Sequence, residues 1–292
     1  MRHVEAPTSY RTTGDLMSRL FTSTPLSAHR TILAAPFFVA LTILACGWPT
    51  AGRAADLAVK APEAAPYQWT GCYVGLNAGA GNAGTNFSSS VGPGTHLLGA
   101  DPAVVAGSGG GAANEVDPLA GGQVGCNWQA STLVLGLEGD FDYFHSKPGF
   151  SNNTNTLSDG VTPFTISPTL TTKYLATIRP RIGIGADRNL FYVTGGVAVT
   201  QVSYTLSYSD GAAPPGAGTA SASKNLVGWT AGAGWEYAFA EHWTVRAEYL
   251  IAGFPKISAL GAITDAAGGS NPLSGSSDVT IQLIRAGVNL KF

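Results

Sequence analysis

The sequence predicts an all-β chain, an eight-stranded antiparallel up-and-down β-barrel that crosses a membrane on its strands. Three observations point there. Apolar residues recur with period two in segment after segment, which marks strands rather than helices. Charged residues are only 12% of the chain, about half the usual share, and after the N-terminal region no apolar run reaches the ~18 residues of a membrane helix. Long Gly/Ser/Pro-rich stretches alternate with tight turns, as in barrels that carry short periplasmic turns and long extracellular loops.

Residues 31–48 (TILAAPFFVALTILACGW) are apolar and follow Arg19 and Arg30, and Gly52-Arg53-Ala54 supplies a small-x-small cleavage pattern. Residues 1–54 therefore read as a secretory signal cut after Ala54, with Met17 as an alternative start. The competing reading, a retained anchor, fits the cleavage pattern less well. A lipoprotein box at 43–46 is less well placed than the Ala54 site. Residues 55–68 are Pro/Ala-rich without periodicity and read as a periplasmic linker. The barrel is expected over 69–292. A formal net charge of -2 offers no basic patch for nucleic acid.

The first strand is expected over 70–81, with Cys72, Val74 and Leu76 on one face and Tyr73 and Asn77 on the other. A long loop is expected over 82–116. The second strand, 117–129, puts Val124, Cys126 and Trp128 outward. After a turn at Ala130-Ser131, the third strand, 132–144, puts Leu133, Leu135, Leu137 and Phe141 outward, with Glu138, Asp140 and Asp142 inward. A second loop spans 145–170. The fourth strand, 171–185, carries Arg179 and Arg181 on its inner face. Pro180 between them costs a ladder hydrogen bond unless a bulge absorbs it.

A tight turn at Asp187-Arg188 leads into the fifth strand, 190–208, with Phe191, Val193, Val197 and Val199 outward. A third loop covers 209–223. The stretch 224–254 then alternates twice about a short break at 240–242, which makes it a hairpin. Paired residues must point the same way, so parity fixes the register. Glu236 is expected opposite Arg246 on the inner face, as a pair, and Phe239 opposite Trp243 on the outer face. A fourth loop spans 255–277. The eighth strand, 278–292, puts Ile284, Val288, Leu290 and Phe292 outward and Arg285 inward.

Trp128, Trp235, Tyr237, Phe239 and Trp243 cluster near the short turns and are expected to form an aromatic girdle. Glu138, Asp140, Arg179, Arg181, Glu236, Arg246, Glu248 and Arg285 share the lumen-facing parity. An eight-stranded barrel is just wide enough for side chains to fill, and unpaired charges are costly to bury. These eight are expected to plug the lumen as an ion-pair network, the alternative being a narrow ion path. Cys72 and Cys126 share the outward parity near the periplasmic ends of neighbouring strands. A disulfide and a diagonal placement too long to bridge both remain open at this point.

Gly79 to Gly84 matches a dinucleotide fingerprint as text, but no helix follows it. His96 and His145 lie in or beside predicted loops and read as solvated histidines rather than metal or haem ligands. No catalytic triad or metal spacing stands out. The chain is expected to be neither an enzyme nor a holder of a metal or cofactor.

With the elements in place, the chain resembles the small alphaproteobacterial outer-membrane barrels, the porin-family "outer-membrane immunogenic proteins" of OmpA-like and Opa-like type. The residues carrying the likeness are ADL at 55–57, VKAP at 59–62, WTGCYVGLNAG at 69–79, GGQVGCNWQ at 121–129, LEGDFDY at 137–143 and YVTGGVA at 192–198. They continue with VGWTAGAGWEYAF at 227–239, WTVRAEYL at 243–250 and the terminal Phe292. The resemblance implies an outer-membrane location. It also implies that Val288, Leu290 and Phe292 form the aromatic C-terminal signal read by the outer-membrane assembly machinery. Outer-membrane lipids and lipopolysaccharide are the expected surroundings, and the long loops would meet any surface ligand. The expected role is structural and surface-displaying. A narrow pore or haem and small-solute uptake protein, or an adhesin, are the alternatives.

Overall fold

The computed structural model describes residues 66–292; the signal at 1–54 and most of the linker lie outside the described residues. The strands are β1 (Gly71–Val91), β2 (Gly111–Ala130), β3 (Leu133–Ser146), β4 (Asn152–Thr156), β5 (Pro163–Ala186), β6 (Asn189–Asp210), β7 (Gly216–Ala238), β8 (Trp243–Asp265) and β9 (Ser270–Lys291), with one helix, α1 (Asp101–Ser108), between β1 and β2. Every pairing is antiparallel. β1 pairs with both β2 and β9, and β3 pairs with β5, which closes an eight-stranded ring. The five-residue β4 pairs only with β5 and stands outside the ring.

The hairpin register agrees with parity: Glu236 pairs with Arg246, and Ala238 with Thr244 is the last pair before the turn. Short turns join β2 to β3, β5 to β6 and β7 to β8 at one rim. The chain also ends there, with Phe292 N donating to Cys72 O at 2.9 Å. Pro180 needs no bulge. It pairs with Leu137 on one side. On the other, the ladder to β6 lapses between Ile178↔Val197 and Arg181↔Thr194 without a register shift. Gly195 and Gly196 fill the gap, and Thr194 Oγ1 donates to Pro180 O at 2.9 Å.

The loops differ from expectation. Residues 82–91, 111–116, 163–170, 209–210, 216–223, 255–265 and 270–277 are strand. The barrel therefore rises well above its apolar belt, and two of the four long connections shrink to 211–215 and 266–269. The cause is an exchange of faces. In the lower half of the barrel, Ile178, Ile182, Phe191, Val193, Val197 and Trp229 are exposed on the outside while charged side chains are buried within. Higher up, the same inner face carries Phe87, Ile166, Leu170, Tyr204, Leu206, Ile263 and Leu273, all buried in one apolar core; register shifts at 172–175 and 254–257 change the inward parity of β5 and β8 on the way. Leu97 and Val105, from the connection that holds α1, join that core. The outward positions there become Ser, Thr and Ala. Alternation continues, but its apolar phase moves from outside to inside. The lower storey therefore suits lipid outside and polar groups within, and the upper storey suits water outside.

Candidate functional site

The lower storey holds a cluster of charges contributed by five strands. Alternation sends every second side chain into the lumen, and small residues leave room for the long ones: a Cβ on Gly79 would overlap Arg285, and one on Gly196 would strike Arg179. Arg179 on β5 is the hub. Its Nη2 lies 2.8 Å from Glu138 Oε1 and 2.8 Å from Asp140 Oδ2, and its Nη1 3.2 Å from Glu248 Oε1. Its Nε donates to Thr177 Oγ1 at 2.8 Å. Arg285 on β9 donates to Glu248 at 2.9 Å, Asp140 at 3.1 Å and Asp142 at 2.5 Å. Arg246 donates to Glu138 Oε2 at 2.5 Å.

Glu236 and Arg246 are opposite in register yet are not ion partners, which corrects the expected pair. Glu236 instead accepts from Arg181 at 3.2 Å, Thr244 at 2.5 Å and Asn289 at 2.8 Å. Side chains facing each other across a ladder run parallel into the lumen. In so narrow a barrel the long Arg246 meets the opposite wall, at Glu138 of β3, before it meets its neighbour.

The eight predicted charges are all buried and all lie in this cluster. The structure adds members that composition alone does not flag. Asp142 is fully buried against Arg285. The Arg181 guanidinium lies 4.8 Å from the Tyr73 ring and 5.1 Å from the Tyr192 ring, a cation–π sandwich. Tyr73 donates to Glu138, and Tyr192 to Glu248 at 3.0 Å. Asn77, Gln123 and Asn289 continue as an amide chain, with steps of 2.7 Å and 2.7 Å, ending on Glu236. Parity already put Tyr73, Asn77 and Asp142 on the inner face; only their contacts were hidden. Arg181 Nη2 and Arg246 Nε find no acceptor among the described residues, so the cluster is stabilised less than a fully paired one.

Apolar groups close the cluster at both ends. Below it, Trp69, Val134, Leu190 and Ala238 form a buried floor, with Tyr67 packed on it. Above it, Leu175, Leu250 and Leu283 begin the upper core. Trp128, Trp235, Tyr237, Phe239 and Trp243 line the outside near the short turns, with Trp235 and Tyr237 rings stacked at 6.2 Å. Val288, Leu290 and Phe292 also face outward. Cys72 and Cys126 are directly paired in register and joined as a disulfide, with Cα atoms 4.0 Å apart.

His96 is not a solvated histidine. It is held between the tips of β6 and β8, with Nε2 2.8 Å from Asp210 Oδ2 and Nδ1 2.7 Å from Asp265 Oδ2. Asn271 accepts from the His96 and Leu97 backbone N–H groups at 3.1 and 2.7 Å. Burial works against the charged imidazole, and the bonds and charges of the two aspartates outweigh it, so the His96 pKa is raised. This clamp ties the β1–β2 connection over the barrel mouth. His145 is exposed on β3.

A family model described as "Outer membrane protein beta-barrel domain" matches residues 52–292. The chain is 33% identical over 267 residues to the 31 kDa outer-membrane immunogenic protein of Brucella melitensis, covering 87% of this chain and 99% of that protein. It is 29% identical over 195 residues to the 25 kDa outer-membrane immunogenic protein of Brucella abortus, covering 65% and 69%. Among solved structures, the outer membrane protein OprG from Pseudomonas aeruginosa aligns over 77% of this chain and 98% of its own at 12% identity, with a TM-score of 0.39.

Proposed function

The chain belongs to the outer-membrane β-barrel protein family and resides in the cell outer membrane, and on that premise we propose that it is a structural, surface-displayed barrel whose lumen is closed. The observation that carries this reading is the filling of the lumen. Four arginines and five carboxylates bond across it from wall to wall, between a floor built on Trp69 and an apolar core that begins at Leu250. An ion path needs sites that a permeating ion can enter and leave. Here each carboxylate is engaged by arginine, and the storey above is lined mainly by buried apolar side chains.

Such a network ties β3, β5, β7, β8 and β9 together at one height and resists ovalisation of the ring. The upper storey then acts as a rigid stalk that holds the connections 92–110, 147–162, 211–215 and 266–269 clear of the lipid. The reading gives the barrel no catalytic role. Liposome swelling tests it. Vesicles carrying the refolded protein should swell in an isosmotic small sugar no faster than protein-free vesicles. Swelling that scales with the amount of protein would overturn the closed-lumen reading.

A further inference from the structure

The β2–β3 ladder stops at the pair Leu119↔Phe144, and above it the wall forks. β2 runs on and pairs with β1 alone, as far as Phe87↔Gly111. The chain beyond β3 leans the other way. Leu170 N donates to Pro148 O at 2.9 Å, Phe150 N donates to Pro168 O at 3.3 Å, and β4 then follows β5. Among the described residues, nothing bonds to the backbone of 111–118 on the side away from β1. Burial agrees: Ala83 and Phe87 on β1 are buried, and their β2 partners Glu115 and Gly111 are exposed. At the top of the fork a Cβ on Gly111 would lie 3.2 Å from the Phe150 ring, so the free edge is residues 112–118.

A free edge directs N–H and C=O groups outward at every second residue and is a template for one more strand. Native edges are guarded by proline or charge, and this one has both, Pro118 at its foot and then Asp117 and Glu115. The charge is of one sign. Two copies meeting edge to edge would set carboxylates against carboxylates, which destabilises a pair. At the base of the fork, Asp117 Oδ2 and the Oγ of Ser146 are buried without a hydrogen-bond partner among the described residues, and Ser146 as a whole is 1% exposed. A buried polar atom left unbonded costs stability, so a donor brought to the fork gains what the fold itself leaves unmade. β4 offers a poorer edge. It meets β5 at three positions with a register shift among them, whereas β2 is held by β1 without a break.

We propose that the free edge of β2 is a docking site for an extended, basic polypeptide segment of a partner outside the cell, which adds as a strand along 112–118. In such additions main-chain hydrogen bonds supply affinity, and alternate side chains supply the choice of sequence. Glu115 and Asp117 are two residues apart and share a face, so the segment carries Lys or Arg at every second position, with these cations donating to the two carboxylates. The inference takes from the preceding reading only that the upper storey is displayed outside the cell, and it holds whether or not the lumen conducts.

The test uses the full chain refolded in zwitterionic detergent, its fold verified by gel mobility, with a short peptide of alternating Thr and Lys as the probe. A matching peptide with Glu in place of Lys should bind roughly tenfold more weakly, as two cross-strand charge pairs turn repulsive. N-methylation of all the Lys residues, or of all the Thr residues, strips the donors from one edge of the peptide or the other; one set should abolish binding and the other should spare it. Amide exchange over 112–118 should slow when the peptide binds. The variant E115Q/D117N should lose the preference for Lys over Glu, and the peptide arms and amide exchange decide the matter in the native chain if that variant folds poorly. Equal binding of the two peptides, equal effects of the two N-methylated sets, unchanged exchange over 112–118, a preference kept in the double variant, or a dimer of the chain that shields this edge would overturn the proposal.

Discussion

Replacing Arg179 with Met tests the lumen network at its hub. Met fills similar length without charge, so the change isolates the ion pairs from the packing. Arg179 is fully buried and bonds to Glu138, Asp140 and Glu248. Three charge-assisted bonds at about 1.5–3 kcal/mol each would set a simple sum too high, because each carboxylate keeps another arginine. Glu138 retains Arg246 at 2.5 Å, Asp140 retains Arg285 at 3.1 Å, and Glu248 retains Arg285 at 2.7 Å. The expected loss is that of one partner removed from a buried pair, about 3–5 kcal/mol. Urea unfolding of the barrel in lipid vesicles, read by tryptophan fluorescence and by the folded-band mobility on unheated gels, measures it. Adding Asp140→Leu should recover part of the loss, since it lowers the excess of carboxylates over arginines that the first change leaves in the lumen. A loss under about 1 kcal/mol for Arg179→Met would refute the reasoning, because a buried charge cluster that tolerates losing its hub is not held by pairing.

Other outcomes follow from the same geometry. Because the His96 pKa is raised in the fold, its bridge to Asp210 and Asp265 stabilises fully below the ordinary imidazole value of ~6.5 and weakens as pH rises through the elevated value. Amide exchange over 92–100, corrected for its intrinsic pH dependence, should therefore quicken across that window in the native chain and not in His96→Ala; equal pH dependence in both would contradict the clamp. Maleimide should fail to label Cys72 and Cys126 until reductant is added, and labelling of both beforehand would show that they are not bonded. Gly196→Ala should cost about 1–3 kcal/mol by overpacking against Ile178 and Arg179, seen as a lower urea midpoint. An unchanged midpoint would mean that the wall yields there.

The membrane storey was legible because its alternation is chemically stark. Phe191, Val193 and Val197 against Tyr192 and Ala198 needed only period two, and parity alone placed Glu236 opposite Arg246. Much of the upper storey was periodic too, yet it read as loop. Phe164-Thr165-Ile166-Ser167 alternates inside the 145–170 stretch read as loop; its apolar residues occupy the inner face, which holds polar groups lower in the barrel. A search that fixes one face as apolar for a whole barrel discards such segments. Ion partners were illegible for another reason. Arg246 reaches Glu138, 108 residues away, and His96 reaches Asp210 and Asp265, 114 and 169 residues away. Parity says which side a group faces and nothing about which wall its head reaches. Pro180 misled in the opposite direction, since the local rule demanded a bulge and the chain met it with a lapse in the ladder beside Gly195 and Gly196.

The central claim is that the lumen is shut by its own side chains, and planar-bilayer recording of the native barrel in high salt addresses it most directly. Insertion of folded protein, verified by its gel mobility, should leave the bilayer without stepwise conductance at moderate voltages of either sign. Reproducible, long-lived steps whose number grows with inserted protein would contradict it, for they would require a water path past Arg179, Glu138 and the core above them.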